Sequence, residues 1–181
     1  MWAALSQWEG QFLLWAQQVL RQPWLDPAVR FYTHLGDRGL VWMALCALLL
    51  LFPKTRRAGL AGALALALSM VCTNLVLKPL FSRVRPWLVL EGLMPLVAER
   101  DPHSFPSGHS SAALAAAVAW WRLLPRPWRW VAMGCGAVMA LSRLYVGVHF
   151  PSDVLCGALV GAGCGMAGVW LVGYANRRMQ E

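Results

Sequence analysis

Residues 142–153 read Ser-Arg-Leu-Tyr-Val-Gly-Val-His-Phe-Pro-Ser-Asp and lie between two long apolar runs. Arg143, His149 and Asp153 thus fall where a bilayer protein normally carries no ionisable group. Such groups are costly near bilayer depth, so their presence points to function. A histidine followed four residues later by a carboxylate suggests a nucleophile or base held by an orienting partner. The arginine six residues before that histidine is a planar fork suited to phosphate.

Two further clusters carry groups of matching chemistry. Residues 78–86 read KPLFSRVRP, with Lys78, Arg83 and Arg85. Taken alone, these are cations snorkelling at a helix end. Residues 105–110 read FPSGHS. Proline before Ser-Gly at a helix start leaves backbone N–H groups free, and a helix N-terminus favours an anion. Alone, Ser107 is equally well a helix cap beside an interfacial His109. Together the clusters supply what phosphoryl transfer needs: positive groups around the equatorial oxygens, a nucleophile in line and a proton donor for the leaving oxygen. Two histidines divide the last two tasks, because a residue attacking phosphorus cannot also protonate the opposite side. No Asp/Glu/His grouping has the pattern of a two-metal phosphatase, so neither a metal nor a cofactor is expected.

The elements that must position these groups are apolar helices. Hydrophobic residues make up 59% of the 181 and charged residues 13%, which argues against a soluble globular protein. Several runs reach membrane-spanning length. The net charge of +8 is scattered between those runs, which suits lipid head groups and anionic substrates and argues against nucleic acid. Cys46, Cys72, Cys135, Cys156 and Cys164 all lie in apolar runs and read as small buried hydrophobes. The first residues do not have the pattern of a signal peptide.

The expected fold is all-α: an integral membrane bundle of about five spanning helices plus an N-terminal interfacial helix. Over residues 1–21, Trp2, Leu5, Trp8, Phe12, Trp15 and Val19 recur at helical spacing, with glutamines and Glu9 between them. That pattern places the helix in the interface, with tryptophans at head-group level. Residues 26–37 form a connection or a broken helix. Spans are expected at about 39–52, 58–77, 107–124, 130–146 and 152–174, with a long proline-bearing connection from 79 to 106. All three ionisable clusters then fall at one end of the bundle, whereas unrelated polar residues would be spread over both ends. Short basic turns at 54–57 and 122–129 and the basic C-terminus belong in the cytoplasm, which puts the clusters and the N-terminus on the outer side. Gly157, Gly161 and Gly165 recur every fourth residue. Such a stripe packs helices closely within the bundle, and a homo-oligomer face is the other reading.

The ordered pattern Lys-x6-Arg-Pro, Pro-Ser-Gly-His and Ser-Arg-x5-His-x3-Asp resembles the type 2 phosphatidic acid phosphatase (PAP2) superfamily. It is matched at Lys78, Arg85, Pro86, Pro106, Ser107, Gly108, His109, Ser142, Arg143, His149 and Asp153. The resemblance implies a single PAP2-like membrane domain over 1–181, with its catalytic motifs in 78–153. It implies a metal-independent phosphatase in which His149 is the nucleophile and forms a phosphohistidine, Asp153 orients it, and His109 protonates the leaving group and then activates water. Lys78, Arg85, Arg143 and the N–H groups near Ser107 and Gly108 would hold the phosphate. Arg83 and His103 are not motif positions and stay outside this set; Asp37 and His34 are placed at its border. Vanadate should inhibit. The soluble vanadium haloperoxidases of the same superfamily fit poorly with the spans.

The expected partners are the bilayer and a membrane lipid phosphate. The small size and outer site lean toward undecaprenyl diphosphate, cleaved to undecaprenyl phosphate during cell-wall assembly. The alternative is phosphatidic acid or phosphatidylglycerophosphate. Head-group choice is expected to depend on residues 87–105 and on the N-terminal helix. A more remote reading is a lipid-phosphate binding protein or transporter without chemistry, which would need neither two histidines nor a paired Asp153.

Overall fold

The structure, a computed structural model, describes residues 2–178, with side chains from residue 7 onward. Every regular element described is helical, and the architecture is a membrane helical bundle. Helix α1 is Trp2–Val19 and α2 is Asp26–Leu35; a 3-10 turn at Asp37–Gly39 leads into α3, Leu40–Leu51. Helix α4, Arg56–Met70, runs on through a π-helical stretch, Val71–Leu77, into the short α5, Lys78–Phe81. A second short helix, α6, is Pro86–Val89. Three longer helices follow: α7, Gly108–Trp121, α8, Arg126–Tyr145, and α9, Pro151–Arg178.

Small residues set the packing. Helix α7 lies at the centre against α4, α8 and α9. Ala113, Ala115, Ala116, Ala117 and Ala119 are fully buried on it. Helix α9 turns Gly157, Gly161 and Gly165 onto α7, where added Cβ atoms would run into the carbonyls of Ser107, Ser111 and Ala115. The glycine stripe is therefore used inside the bundle. The opposite face of α9 carries Leu155, Leu159, Met166 and Trp170, all largely exposed. Small inside and large apolar outside is the arrangement expected where lipid is the solvent and close backbone approach drives packing.

Five spans were expected. Among the described residues, two helical rods are long and apolar enough to cross a membrane, Arg56–Phe81 and Pro151–Arg178. The pair Asp26–Leu35 and Asp37–Leu51, bent by 45°, makes a third if it is counted as one broken span. The difference lies in α7 and α8. Helix α7 has only 14 residues, against about 20 for a straight crossing. Helix α8 has 20, but basic residues lie in both its first and last turns. Its start at Arg126 also precedes the expected 130, because Pro127 sits in the first turn, where a missing N–H does no harm.

Helix α1 has two working faces. Trp8, Trp15 and Val19 of the expected apolar stripe point outward, 64%, 47% and 51% exposed, while Phe12 is half-buried. Trp2 and Leu5 of that stripe lie outside the described side chains. A different face, Glu9, Leu13 and Ala16, is buried against the protein. The expected lipid-facing helix is thus also a packed one.

Gly161→Val places a branched side chain against the Ser111 carbonyl. We expect a loss of about 2 kcal/mol or more, read as a lower thermal midpoint in detergent. An unchanged midpoint would mean that α7 and α9 are not in such close contact.

Candidate active site

The last turn of α8 and the first turn of α9 build one corner of the site. After Val146, Gly147 takes a left-handed conformation, φ 77°. Gly147 N–H bonds to the Leu144 carbonyl at 3.0 Å, and Val148 N–H reaches back to the Arg143 carbonyl at 3.2 Å. This is a Schellman close, which glycine at that position permits. It reverses the chain so that His149 comes back beside Arg143. Helix α9 then starts at Pro151, and Asp153 Oδ2 accepts the Phe150 N–H at 2.8 Å, as a third-position carboxylate does in a capping box. Local helix-end chemistry thus sets the spacing of arginine, histidine and aspartate.

The other two segments dock onto this corner. Ser107 caps α7, its Oγ accepting from Ser110 N–H at 3.4 Å and Ser110 Oγ–H at 2.9 Å. Ser107 N–H donates to the Asp153 carbonyl at 2.9 Å, which ties the start of α7 to α9. The π-helical stretch ahead of Lys78 resets the angular register of the lysine and of α5, a device common at functional sites.

The result is a cavity of about 550 Å³. Lys78, Arg85, Gly108, His109 and His149 line one end, with Glu99 and Asp101. Apart from Arg38, Ser69, Thr73 and Asn74, the rest of the lining is apolar and runs between α3 and α4 past Met43, Cys46, Leu50, Leu66 and Met70. Asp153 stands behind His149, and Arg143 is reached through Glu99. Ser107 is buried with its hydroxyl turned to Ser110, so its side chain serves the helix cap.

His149 lies in the connection between α8 and α9 and is 1% exposed. Its Nε2 is 3.1 Å from Arg85 Nη1. Arginine only donates, so Nε2 holds a lone pair and the ring proton sits on Nδ1. Nδ1 faces Asp153 Oδ2 at 3.6 Å, longer than a hydrogen bond. Burial holds the imidazole well below its usual 6.5, and Arg85 and Arg143 push the same way.

Carboxylates compensate the cations. Lys78 pairs with Asp101. Glu99 joins Arg143 and lies 3.7 Å from Arg85. Arg85 Nε also donates to the Asp101 carbonyl at 3.0 Å, and Arg143 Nη1 donates to Thr33 Oγ1. On the far side, His109 Nε2 is 3.0 Å from Asp37 Oδ1, and His34 bonds the same carboxylate at the exposed edge. His103 stays outside the cluster, its backbone N–H bonded to Asp101 Oδ1 and its segment bridged to Val84.

The sequence reading passed over Thr33, Glu99, Asp101 and Glu9, and set Arg83 aside as lying outside the motif positions. Arg83, 6% exposed, binds both Asp153 and Glu9. Its signal was present in a second arginine two residues before Arg85. Glu9 was hidden among glutamines, although it shares a helix face with Leu13 and Ala16.

The model of the PAP2 superfamily matches residues 58–177, which contain every one of the motif positions from Lys78 to Asp153. The chain belongs to the PAP2 superfamily. An undecaprenyl-diphosphatase of Sulfolobus acidocaldarius is 33% identical over 139 residues, 76% of this chain and 66% of that protein. A decaprenylphosphoryl-5-phosphoribose phosphatase of Mycobacterium tuberculosis is 33% identical over 165 residues, 90% of this chain and 89% of that protein. The crystal structure of a transmembrane PAP2-type phosphatidylglycerolphosphate phosphatase from Bacillus subtilis superposes with a TM-score of 0.72 at 29% identity. That superposition covers 97% of this chain and 87% of the other. This PAP2 protein is accordingly a membrane lipid phosphatase, a hydrolase.

The geometry yields two expected outcomes. Glu99 lies between Arg85 and Arg143, two of the cations expected to hold the phosphate. Glu99→Gln should tighten inhibition by orthovanadate on the order of fivefold, the effect of removing one partly exposed competing charge. Unchanged or weaker inhibition would show that Glu99 does not compete. The second outcome concerns pH. A neutral buried His149 contributes stability that is complete above pH 6.5 and is lost as pH falls toward its lowered folded-state value. The thermal midpoint should therefore drop below pH 6.5 in the wild type, and drop less in His149→Asn.

Proposed function

We propose that this PAP2 protein hydrolyses a lipid phosphate through a phosphohistidine on His149. The observation that carries the reading is the placement of His149. Its unprotonated Nε2 faces a cavity lined by cations, and its Nδ1 faces a buried carboxylate. In the first half-reaction Nε2 displaces Arg85 as its neighbour and attacks phosphorus. The bond from phosphorus to the leaving oxygen breaks, and His109 donates the proton that oxygen needs. Lys78, Arg85, Arg143 and the N–H groups near Ser107 and Gly108 hold the equatorial oxygens, where charge develops in the transition state. Asp153 stabilises the positive charge on the ring. In the second half-reaction His109, now neutral, takes a proton from water. The hydroxide equivalent attacks phosphorus, and the P–N bond breaks to release phosphate and free His149. None of these steps requires a metal.

The substrate we favour is undecaprenyl diphosphate, converted to undecaprenyl phosphate at the extracytoplasmic face by a multi-pass protein. Two relatives carry polyprenyl phosphates in their names. The apolar part of the cavity suits a lipid chain whose phosphate reaches His149. The short basic turns lie at the end of the bundle away from the site, which supports an outer site by the positive-inside rule. The likeness to a phosphatidylglycerolphosphate phosphatase over 97% of the chain supports a second reading, a glycerophospholipid phosphate.

Phosphate release by the purified protein, in detergent with EDTA, tests both. Undecaprenyl diphosphate, phosphatidylglycerophosphate and phosphatidic acid would be compared side by side. We expect faster release from the diphosphate, and His149→Ala lower by several orders of magnitude with lipid binding kept. Faster release from either glycerophospholipid would move the role to phospholipid turnover. Undiminished turnover by His149→Ala would overturn the mechanism, and loss of release in EDTA would overturn its metal independence.

A further inference from the structure

Helix α1 carries a carboxylate that a membrane anchor does not need. Glu9 is 1% exposed. Its Oε2 accepts from Arg83 Nη2 at 2.6 Å, and its Oε1 accepts the Ser152 N–H at 2.6 Å. Arg83 Nη1 donates onward to Asp153 Oδ1 and Ser152 Oγ, each at 2.7 Å. The guanidinium lies over the Phe150 ring, 3.9 Å from its centre. A continuous chain therefore runs from α1 to the reacting ring: Glu9, Arg83, Asp153, His149.

Stability alone is a poor reason for such a chain. Buried ionic networks are often no more stable than apolar packing of the same volume. Electrostatics offers a better one. Both oxygens of Asp153 are engaged by Arg83 and by Phe150 N–H, and neither makes a full hydrogen bond to His149. With Arg83 alone, Asp153 would form a closed neutral pair that projects little field. Glu9 draws Arg83 into a shared position and adds a second negative charge. The three groups then carry one net negative charge next to Nδ1. Positive charge that develops on His149 meets that field in a dry, low-dielectric setting, where it acts most strongly. The same contacts fix the rotamer of Asp153 and the first turn of α9.

We propose that Glu9 and Arg83 are positioning residues for the reaction, so that helix α1 acts through Asp153 as part of the catalytic apparatus. The proposal rests on the phosphohistidine reading of His149. It accounts for a glutamate buried on a helix whose other polar residues are mostly glutamines, and for an arginine buried outside the family motif positions.

The test is steady-state phosphate release from undecaprenyl diphosphate or, if it is faster, phosphatidic acid. Glu9→Gln removes the charge while keeping the shape and an acceptor for Ser152 N–H. We expect kcat to fall on the order of tenfold with KM within about twofold, the pattern of an interaction made in the transition state. In an Asp153→Asn background the same change should cost clearly less, because the part of its effect that passes through Asp153 is already gone. A merely structural role would act equally in both backgrounds. Arg83→Lys keeps a charge but cannot span both carboxylates; it should show a smaller fall in kcat, and it carries the test if Glu9→Gln does not fold. Equal losses in both backgrounds, or unchanged kcat in Glu9→Gln and Arg83→Lys, would overturn the proposal. His149→Ala in the same assay separates the two readings. Activity retained there removes the phosphohistidine mechanism itself, whereas activity lost there with an indifferent Glu9→Gln removes only the role of α1.

Discussion

Charge buried in an apolar bundle is the constraint on which this structure depends. Arg85, Arg143, His149, Glu9 and Asp153 are among the largest fully buried side chains described. An uncompensated charge in such a place costs several kcal/mol, so each must find an opposite partner within the protein. Lys78 meets Asp101, Arg83 meets Glu9 and Asp153, and Arg85 and Arg143 meet Glu99. The carboxylates come from α1, from the 90–107 connection and from α9, so satisfying the cations draws these segments together. The contacts that assemble the site also hold the fold closed at that end.

The same constraint explains the shape of the bundle. Polar segments fill the site end, and α7 begins only where they stop, which leaves it 14 residues long. Its alanines and the glycines of α9 let backbones approach where no water is present to drive apolar association. Large apolar residues are thereby released to face lipid. The cavity reflects this division: ionised at one end, apolar between α3 and α4 at the other. A lipid phosphate has that same division.

Carboxylates and Arg85 pair with the groups to which the motifs assign phosphate and nucleophile. Glu99 lies between two arginines, and Arg85 sits on His149 Nε2. Glu99 thereby spares the site from holding bare buried cations. The 90–107 connection supplies Glu99 and Asp101, so the segment expected to govern head-group choice also balances the charge of the cations.

Much of this was legible in the chain itself. The ordered motifs from Lys78 to Asp153 identified the superfamily, because phosphoryl transfer restricts which residue types can serve and helix-end geometry restricts their spacing. Gly147 and Asp153 illustrate the second restriction: one ends α8 and the other caps α9, both by local rules. Apolar periodicity likewise located the long helices. Tertiary structure alone decided the partners. Nothing in the spacing of Glu9, Thr33, Asp37, Glu99 or Asp101 says which cation or imidazole each will meet, since those pairings join residues up to 110 positions apart. It also decided how many helices have the length and apolarity of a crossing, because that depends on where polar segments settle within the bundle. Local rules are written in sequence at short range; charge compensation is settled only when the whole chain has closed around it.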